Sequence, residues 1–343
     1  SSSGGESRII RMGYGADEIY TRMAMRSLPQ WRELSGRAEL PLFHRTGVLW
    51  LGSAGDPYSE STRRTLENAR VPLEVLPVEE LRKRYPQIRL EDSHRFGILE
   101  PQSGALMARR ALAVLLQDLI RRGVEYATAA AAPPSGRGKL SSLLISSGER
   151  VSAGAFVFAC GPWLPKLFPG LLQRRIHPTR QEVFFFAPPA GDIRFSPPGL
   201  PVWIDFTDAR GPYGFPDLEG RGFKLAFDRH GEKFDPDSGD RSIGPASVAA
   251  ARAFLAQRFP ALADAPLAEF RVCQYENTSN GDFLIDRHPD MENVWLIGGG
   301  SGHGFKHGPA VGEYAGARIL EGAPAEPRFS LAAKAEAQSR TVY

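Results

Sequence analysis

The sequence predicts an α/β protein of two units, and three stretches carry that prediction. The first is the apolar run Val294 to Ile297, which reads as a buried strand. It breaks into the glycine-rich turn Gly298-Gly299-Gly300-Ser301-Gly302-His303-Gly304-Phe305-Lys306, and a helical pattern follows from about Pro309 to Leu320. The second is Ala108 to Arg122, the clearest amphipathic helix pattern, stopped at Gly123 and followed by strand runs at Leu140–Ile145 and Ala155–Ala159. The third is the stretch from Pro178 to Asp228. There strand-like pieces (Glu182–Phe186, Pro201–Asp205, Gly222–Phe227) alternate with Pro and Gly, before a helical segment Ala246–Arg258 and a strand Glu269–Tyr275. Strand, turn and helix in alternation suit a dinucleotide-binding type of unit, whereas strands closed by one helix suit an antiparallel sheet with a cover.

The remaining elements follow from local pattern. Asp17 to Leu34 places Ile19, Met23, Met25, Leu28 and Trp31 at helical spacing. Thr46 to Gly52 is a short strand, and Ser59–Arg70 and Val78–Arg84 are helical. The Ala- and Pro-rich stretch from Ala127 to Gly138 is a surface loop, and no internal repeat is visible. With 343 residues, 42% hydrophobic and 24% charged, the chain can bury a core for two domains. A net charge of +3, with Lys and Arg dispersed, argues against nucleic acid as a partner. Apolar runs are strand-length, which argues against a membrane span. Two distant cysteines make no disulfide framework, so a reducing cytoplasm is the expected compartment. The seven histidines show no metal-ligand spacing, and no metal is expected.

Several side chains then invite chemistry. A strand, a glycine turn and a helix N-terminus point backbone N–H groups at an anion, and glycine lets a ligand approach them. His303 and Lys306 bring two basic groups to the same place. Arg11 offers a planar fork that matches a carboxylate. Arg8 lies three residues earlier and would share its face if the segment is helical; both could equally be solvated surface charges. Lys224 shares a strand face with Gly222 and Ala226, so it either lines a cavity or sits on an exposed edge. Cys273, near a strand end, reads by itself as a small buried hydrophobe, as does Cys160. Tyr213 and Tyr275 are either core aromatics or pocket walls.

Taken in order, five segments resemble the monomeric sarcosine oxidase and N-methyl amino acid oxidase family, within the D-amino acid oxidase-like superfamily. They are Ser7-Arg8-Ile9-Ile10-Arg11 with Tyr14-Gly15, Glu100-Pro101-Gln102-Ser103-Gly104, Tyr213-Gly214-Phe215-Pro216 with Gly222-Phe223-Lys224, Val272-Cys273-Gln274-Tyr275-Glu276-Asn277-Thr278 with Phe283-Leu284-Ile285-Asp286-Arg287-His288-Pro289, and Ser301-Gly302-His303-Gly304-Phe305-Lys306. The likeness implies a Rossmann-like FAD-binding domain of the glutathione-reductase type plus an antiparallel-sheet substrate domain. The FAD-binding part would comprise residues 1–42, 104–170 and 274–343, and the substrate part 43–103 and 171–273. The family opens with a strand, a Gly-x-Gly-x-x-Gly turn and a helix, and this sequence starts at Ser1 without that first βαβ unit. The expectation is therefore an N-terminally truncated chain lacking roughly forty residues, a crossover-unit length.

The resemblance also implies roles. Cys273 would carry FAD through a thioether. Ser7, Arg8 and the turn residues Gly300, Ser301, Gly302, His303, Gly304, Phe305 and Lys306 would hold the cofactor. Lys224 would activate O2, with Arg8 and Tyr275 beside the reacting atoms. Arg11, Lys306 and Tyr213 would bind the substrate. Asp286 and His288 would be structural. Asp228 departs from the pattern, because a histidine follows the strand at this point in sarcosine-type enzymes, and this puts sarcosine itself in doubt as substrate. The implied activity is oxidation of a secondary amine in an N-methyl or cyclic amino acid to an imine, with O2 reduced to hydrogen peroxide. The implied protein is a monomer when complete. A dehydrogenase using a quinone or protein acceptor, and a non-catalytic flavin-fold binding protein, are the alternatives.

Overall fold

A computed structural model describes residues 2–91 and 93–337. Its centre is an eight-stranded sheet in the order Leu267–Thr278, Ile176–Phe186, Phe223–Phe227, Pro212–Phe215, Val202–Asp205, Val48–Ser53, Arg95–Glu100 and Glu74–Pro77. Every neighbouring pair is antiparallel except Val202–Asp205 with Val48–Ser53, which run parallel. Helix Pro245–Arg258, opened by a proline that needs no N–H there, covers one face. It sets Ala251, Phe254 and Leu255 against Phe184, Phe186, Trp203 and Phe223.

The other face of this sheet carries Trp50, Val202, Ile204 and Phe215. These pack with helix Glu18–Ala38, through Ala24, Leu28, Trp31 and Leu34, and with Ile10 and Leu106. Those last two residues belong to a three-stranded antiparallel sheet made by Ser7–Ile10, Gly104–Met107 and Phe43–His44. A third sheet joins Leu284–Arg287, Val294–Gly298 and Phe156–Phe158, the last two parallel. Val294–Gly298 feeds directly into the glycine turn. The architecture is α/β with mixed and antiparallel sheets. No helix among the described residues is long and apolar enough to cross a membrane.

Four sequence expectations meet a different local structure. Arg8 lies in a strand, Ser7–Ile10, rather than in a helix. The paired isoleucines are β-branched and favour extended backbone, and Gly104–Met107 supplies the pairing that fixes it. The helix after the glycine turn is α-helical only over Gly308–Gly316 and continues as a π turn, Ala317–Glu321, which ends at Gly322 with φ +68°. The strand expected at 140–145 shrinks to Leu143–Leu144. The division placed between residues 273 and 274 falls inside the continuous strand Leu267–Thr278.

Candidate functional site

A cavity of about 1030 Å³ opens beside the glycine turn, and Arg8, Lys224, Cys273, Tyr275, Gly300 and Gly302 form part of its wall. A smaller cavity of about 80 Å³ adjoins it, lined by Arg11, Tyr213, Asp228, His303 and Lys306 among others. Arg8, Tyr213, Lys224, Tyr275, Gly302 and Phe305 belong to both. The first volume is at the upper end of ordinary ligand pockets, a size that admits a dinucleotide.

Strand Leu267–Thr278 supplies Cys273 and Tyr275, two residues apart and therefore on one face. Its ladder with Ile176–Phe186, in register from Thr278 opposite Ile176, makes that placement rigid. Cys273 is a half-buried free thiol, and Arg8 Nη2 lies 3.7 Å from its Sγ. Arg8 is itself tied to the Ser7 and Ser2 carbonyls at 2.9 and 2.6 Å.

Lys224 sits on a central strand, so an exposed edge position does not apply. It is 4% exposed. Its Nζ donates to the Ser7 carbonyl at 3.0 Å and to Ser7 Oγ at 3.2 Å, and lies 4.3 Å from the Phe215 ring centre. Burial, and after it the Arg8 charge, holds the amine well below the ordinary lysine range. Ser7 thus meets the cavity chiefly as the lysine's anchor.

Arg11 leaves the end of the same short strand. Its guanidinium lies 4.2 Å from the Tyr14 ring centre and 4.7 Å from that of Trp50, and it donates to the Gly13 carbonyl. The loop is fixed by Glu100, a fully buried carboxylate. Glu100 accepts from the Met12 and Gly13 N–H groups at 2.8 and 3.0 Å, from Trp50 Nε1 at 2.8 Å and from Ser103 Oγ at 2.6 Å. Such a carboxylate is well satisfied by these donors.

Lys306 donates to the Tyr14 hydroxyl and the His303 carbonyl, each at 2.9 Å. Burial first and Arg11 second push its amine well below the usual range. His303 and His307 are driven the same way by burial, so both rings are neutral at pH 7. His303 Nε2 faces the Gly281 carbonyl at 3.1 Å, which puts the ring proton on that nitrogen. The ring stacks on Phe283 at 4.9 Å between centres. His303 therefore shapes the wall without adding charge.

Within the turn, Gly302 has φ +80°, and a Cβ there would stand 2.6 Å from the Tyr275 ring, so glycine is required on both counts. Ser301 is turned inward: its hydroxyl donates to the Gly299 carbonyl at 3.0 Å and accepts from Thr278 N–H at 3.2 Å. Phe305 stacks on Trp31 at 5.3 Å. Gly300 and Gly304 face the larger cavity.

On the far wall, the Tyr213 and Tyr275 hydroxyls are 3.4 Å apart, and Tyr275 donates to Asp228 Oδ1 at 3.1 Å. Burial pushes Tyr213 up to about 12 and also raises Tyr275. It raises Asp228 as well, against the opposing pull of the Tyr275 hydrogen bond and of the Arg11 and Lys306 charges.

Two groups had no signal of their own in the sequence. Tyr14 links Lys306 to His307, whose Nε2 is 2.8 Å from the Tyr14 hydroxyl. Glu276 faces both Gly161 and Gly300. Its Oε1 accepts from the Gly300 N–H at 3.0 Å, and its Oε2 is shielded from solvent with no partner among the described residues. Burial, opposed by the Gly300 N–H, pushes the carboxyl up to about 7. A carboxylate immediately after the Cys-x-Tyr pattern was the only hint.

Comparison with known proteins adds to this geometry. The model of a family described as "FAD dependent oxidoreductase" matches residues 1–318. The chain is 32% identical over 328 residues to a monomeric sarcosine oxidase of Bacillus sp. (strain B-0618), covering 93% of this chain and 82% of that protein. It is 29% identical over 324 residues to an N-methyl-L-tryptophan oxidase of Salmonella arizonae, covering 93% and 84%. Among solved structures it superposes on the deglycating enzyme fructosamine oxidase of Aspergillus fumigatus with a TM-score of 0.78. That match has 22% identity and covers 96% of this chain and 80% of that one, a likeness of fold.

Proposed function

Because the chain belongs to the FAD dependent oxidoreductase family and takes FAD as its cofactor, we propose that it oxidises the secondary amine of an N-methyl or cyclic amino acid to an imine. O2 is the electron acceptor and hydrogen peroxide the second product. The observation that carries the reading is the meeting of two groups of side chains at adjoining cavities. Arg8, Lys224 and Cys273 stand around the larger one, and Arg11 and Lys306 both line the smaller.

The residues present fit FAD. A thiol, a glycine cradle and a cavity of about 1030 Å³ lie together, and Cys273 supplies the sulfur for a covalent thioether. Ser7, Arg8 and the turn from Gly300 to Lys306 hold the cofactor. Bound FAD supplies the hydride acceptor and the route for electrons to O2. The chain's own groups bind and orient. Arg11 and Lys306 take the substrate carboxylate, a pairing that returns a full charge to Lys306 and aims the reacting C–H bond. Tyr213 and Tyr275 close the pocket, and Phe305 on Trp31 keeps water from one side. Lys224 sets a cationic group beside the place where O2 gains electrons, the kind of charge that stabilises developing superoxide. Two unpaired cysteines suit a reducing compartment, and the cytoplasm is the proposed location.

The test is a peroxide assay under air with N-methyl amino acids, proline and pipecolate, repeated with a quinone dye in place of O2. Peroxide stoichiometric with amine consumed is expected. Turnover only with the dye, or no turnover with any secondary amine, overturns the proposal.

A further inference from the structure

The smaller cavity carries charges of both signs. Four basic side chains, Arg8, Arg11, Lys224 and Lys306, stand in its wall, and Asp228 is the one carboxylate among the described residues that line it. An amino acid in water is a zwitterion, with an anionic carboxylate and a cationic ammonium two bonds apart. A secondary amine of ordinary basicity is protonated at pH 7. A pocket of cations alone would welcome the carboxylate and repel the ammonium, and an unpaired buried ammonium is costly. The nitrogen must also lose its proton, because its lone pair forms the C=N bond as the hydride leaves.

Resting on the amine-oxidising reading above, we propose that Asp228 binds the substrate ammonium opposite the Arg11–Lys306 pair and accepts its proton. The geometry is suited to it. Asp228 N–H donates to the Gly211 carbonyl at 2.9 Å, which fixes the backbone. Oδ1 is occupied by the Tyr275 hydroxyl at 3.1 Å. Oδ2 has no hydrogen-bond partner among the described residues, so one lone-pair face is left for a ligand. Tyr275 itself is steadied by the Tyr213 hydroxyl at 3.4 Å.

The proton balance closes. The ammonium N–H bond breaks and an O–H bond forms on Asp228, leaving a neutral amine. With FAD bound as the hydride acceptor, loss of hydride from the adjacent carbon would convert that amine into an iminium ion, which water would hydrolyse. Asp228 returns its proton to solvent as product leaves. The titratable and charged groups that bear on this carboxyl are Tyr213 on the neighbouring strand, Tyr275 on the strand beyond Ile176–Phe186, Arg11 on the loop after Ile10 and Lys306 on the glycine turn. His230 lies beyond, its ring 6.4 Å from that of Tyr275 between centres.

The experiment compares the FAD-loaded wild type with Asp228→Asn across pH, following anaerobic flavin reduction by substrate in stopped flow. Asn keeps the shape and the Tyr275 contact and cannot take a proton. In the wild type the apparent rate constant kcat/KM should level off well below the amine's own pKa, because the ammonium form is productive. In Asp228→Asn it should climb about tenfold per pH unit up to that pKa, with a deficit at pH 7 on the order of ~10² or more. The thioether analogue of the substrate, which has the carboxylate and no ammonium, should perturb the flavin spectrum of Asp228→Asn at least as tightly as in the wild type. That result separates loss of the proton acceptor from a damaged pocket. Identical pH profiles for the two proteins, or equal weakening of substrate and thioether, overturn the role of Asp228. In either case continued peroxide production from the amine leaves the amine-oxidase reading standing, whereas its absence in the wild type removes that reading first.

Discussion

Replacing Glu276 by Gln isolates the energetic consequence of a carboxyl placed between two glycine turns. The carboxyl is moved by burial from an ordinary value of 4.5 to about 7. Converted at 1.36 kcal/mol per pH unit, the charged form is disfavoured by about 3 kcal/mol in the folded protein, an order-of-magnitude figure. The folded state therefore holds this proton more tightly than the unfolded chain does. Its stabilising effect is complete below about pH 4.5, declines as pH rises toward 7, and is gone above that. Gln cannot ionise and can still accept the Gly300 N–H through its oxygen. The absolute stability of Glu276→Gln depends on how its amide is accommodated, so the informative quantity is the difference from wild type as a function of pH. That difference should shift in favour of Gln by about 2.5 kcal/mol between pH 5 and pH 8, read from urea midpoints at constant ionic strength. Parallel curves for the two proteins would refute the reasoning, because they would mean that Glu276 titrates alike in folded and unfolded chains.

Three further outcomes are expected of the FAD-loaded enzyme. Arg11→Lys keeps a charge and loses the planar fork, so kcat/KM for an amino acid should fall by about 2–4 kcal/mol while its ester is nearly unaffected; equal losses for both place Arg11 elsewhere. Lys224→Met should slow reoxidation of reduced flavin by O2 by ~10² or more and leave anaerobic reduction much less changed, as separate stopped-flow half-reactions will report. Acid denaturation should leave yellow colour on the wild-type protein and release it from Cys273→Ser; free flavin from both would argue against the thioether.

Periodicity made the large elements legible. The helix Val78–Arg84 is where its pattern places it, and Ala108–Arg121 and Pro245–Arg258 lie within one residue of the sequence limits. Long amphipathic or apolar runs decide their own conformation, and burial reinforces them. The conformation around Arg8 stays open in the sequence because four residues carry too little pattern to separate a strand from a helix, and the deciding partner, Gly104–Met107, is about a hundred positions away. Lys224 was ambiguous for the same reason. Whether a lysine on an apolar strand is at an edge depends on strand order, which pairs Phe223–Phe227 with both Ile176–Phe186 and Pro212–Phe215. The individual residues of the site were readable mainly as an ordered set of motifs. Glu276 and Tyr14 stand inside those motifs without an assigned role, because their significance lies in what faces them across the fold: Gly161 and Gly300 for one, Lys306 and His307 for the other.

The clustering of buried cations has a physical consequence for ligand order. Lys224 and Lys306 are both held well below the ordinary lysine range by burial, with a neighbouring arginine adding to the shift in each case. Tyr14 and the His303 carbonyl satisfy Lys306 whether or not it is charged, since either form can donate. An anion arriving beside Arg11 and Lys306 reverses the balance, because it favours the protonated amine by the same Coulombic logic that the arginine opposed. Carboxylate binding and proton uptake at Lys306 are therefore linked, and the pocket becomes fully cationic only when there is an anion to hold. Asp228 contributes the opposite sign on the far wall, next to Tyr275. On the proposed roles of Arg11, Lys306 and Asp228, the site would read a zwitterion by two separate groups, each costly to bury without its partner. A ligand that has only the carboxylate satisfies half of that arrangement, and a simple amine satisfies the other half. Under that proposal, selectivity for an amino acid would follow from needing both.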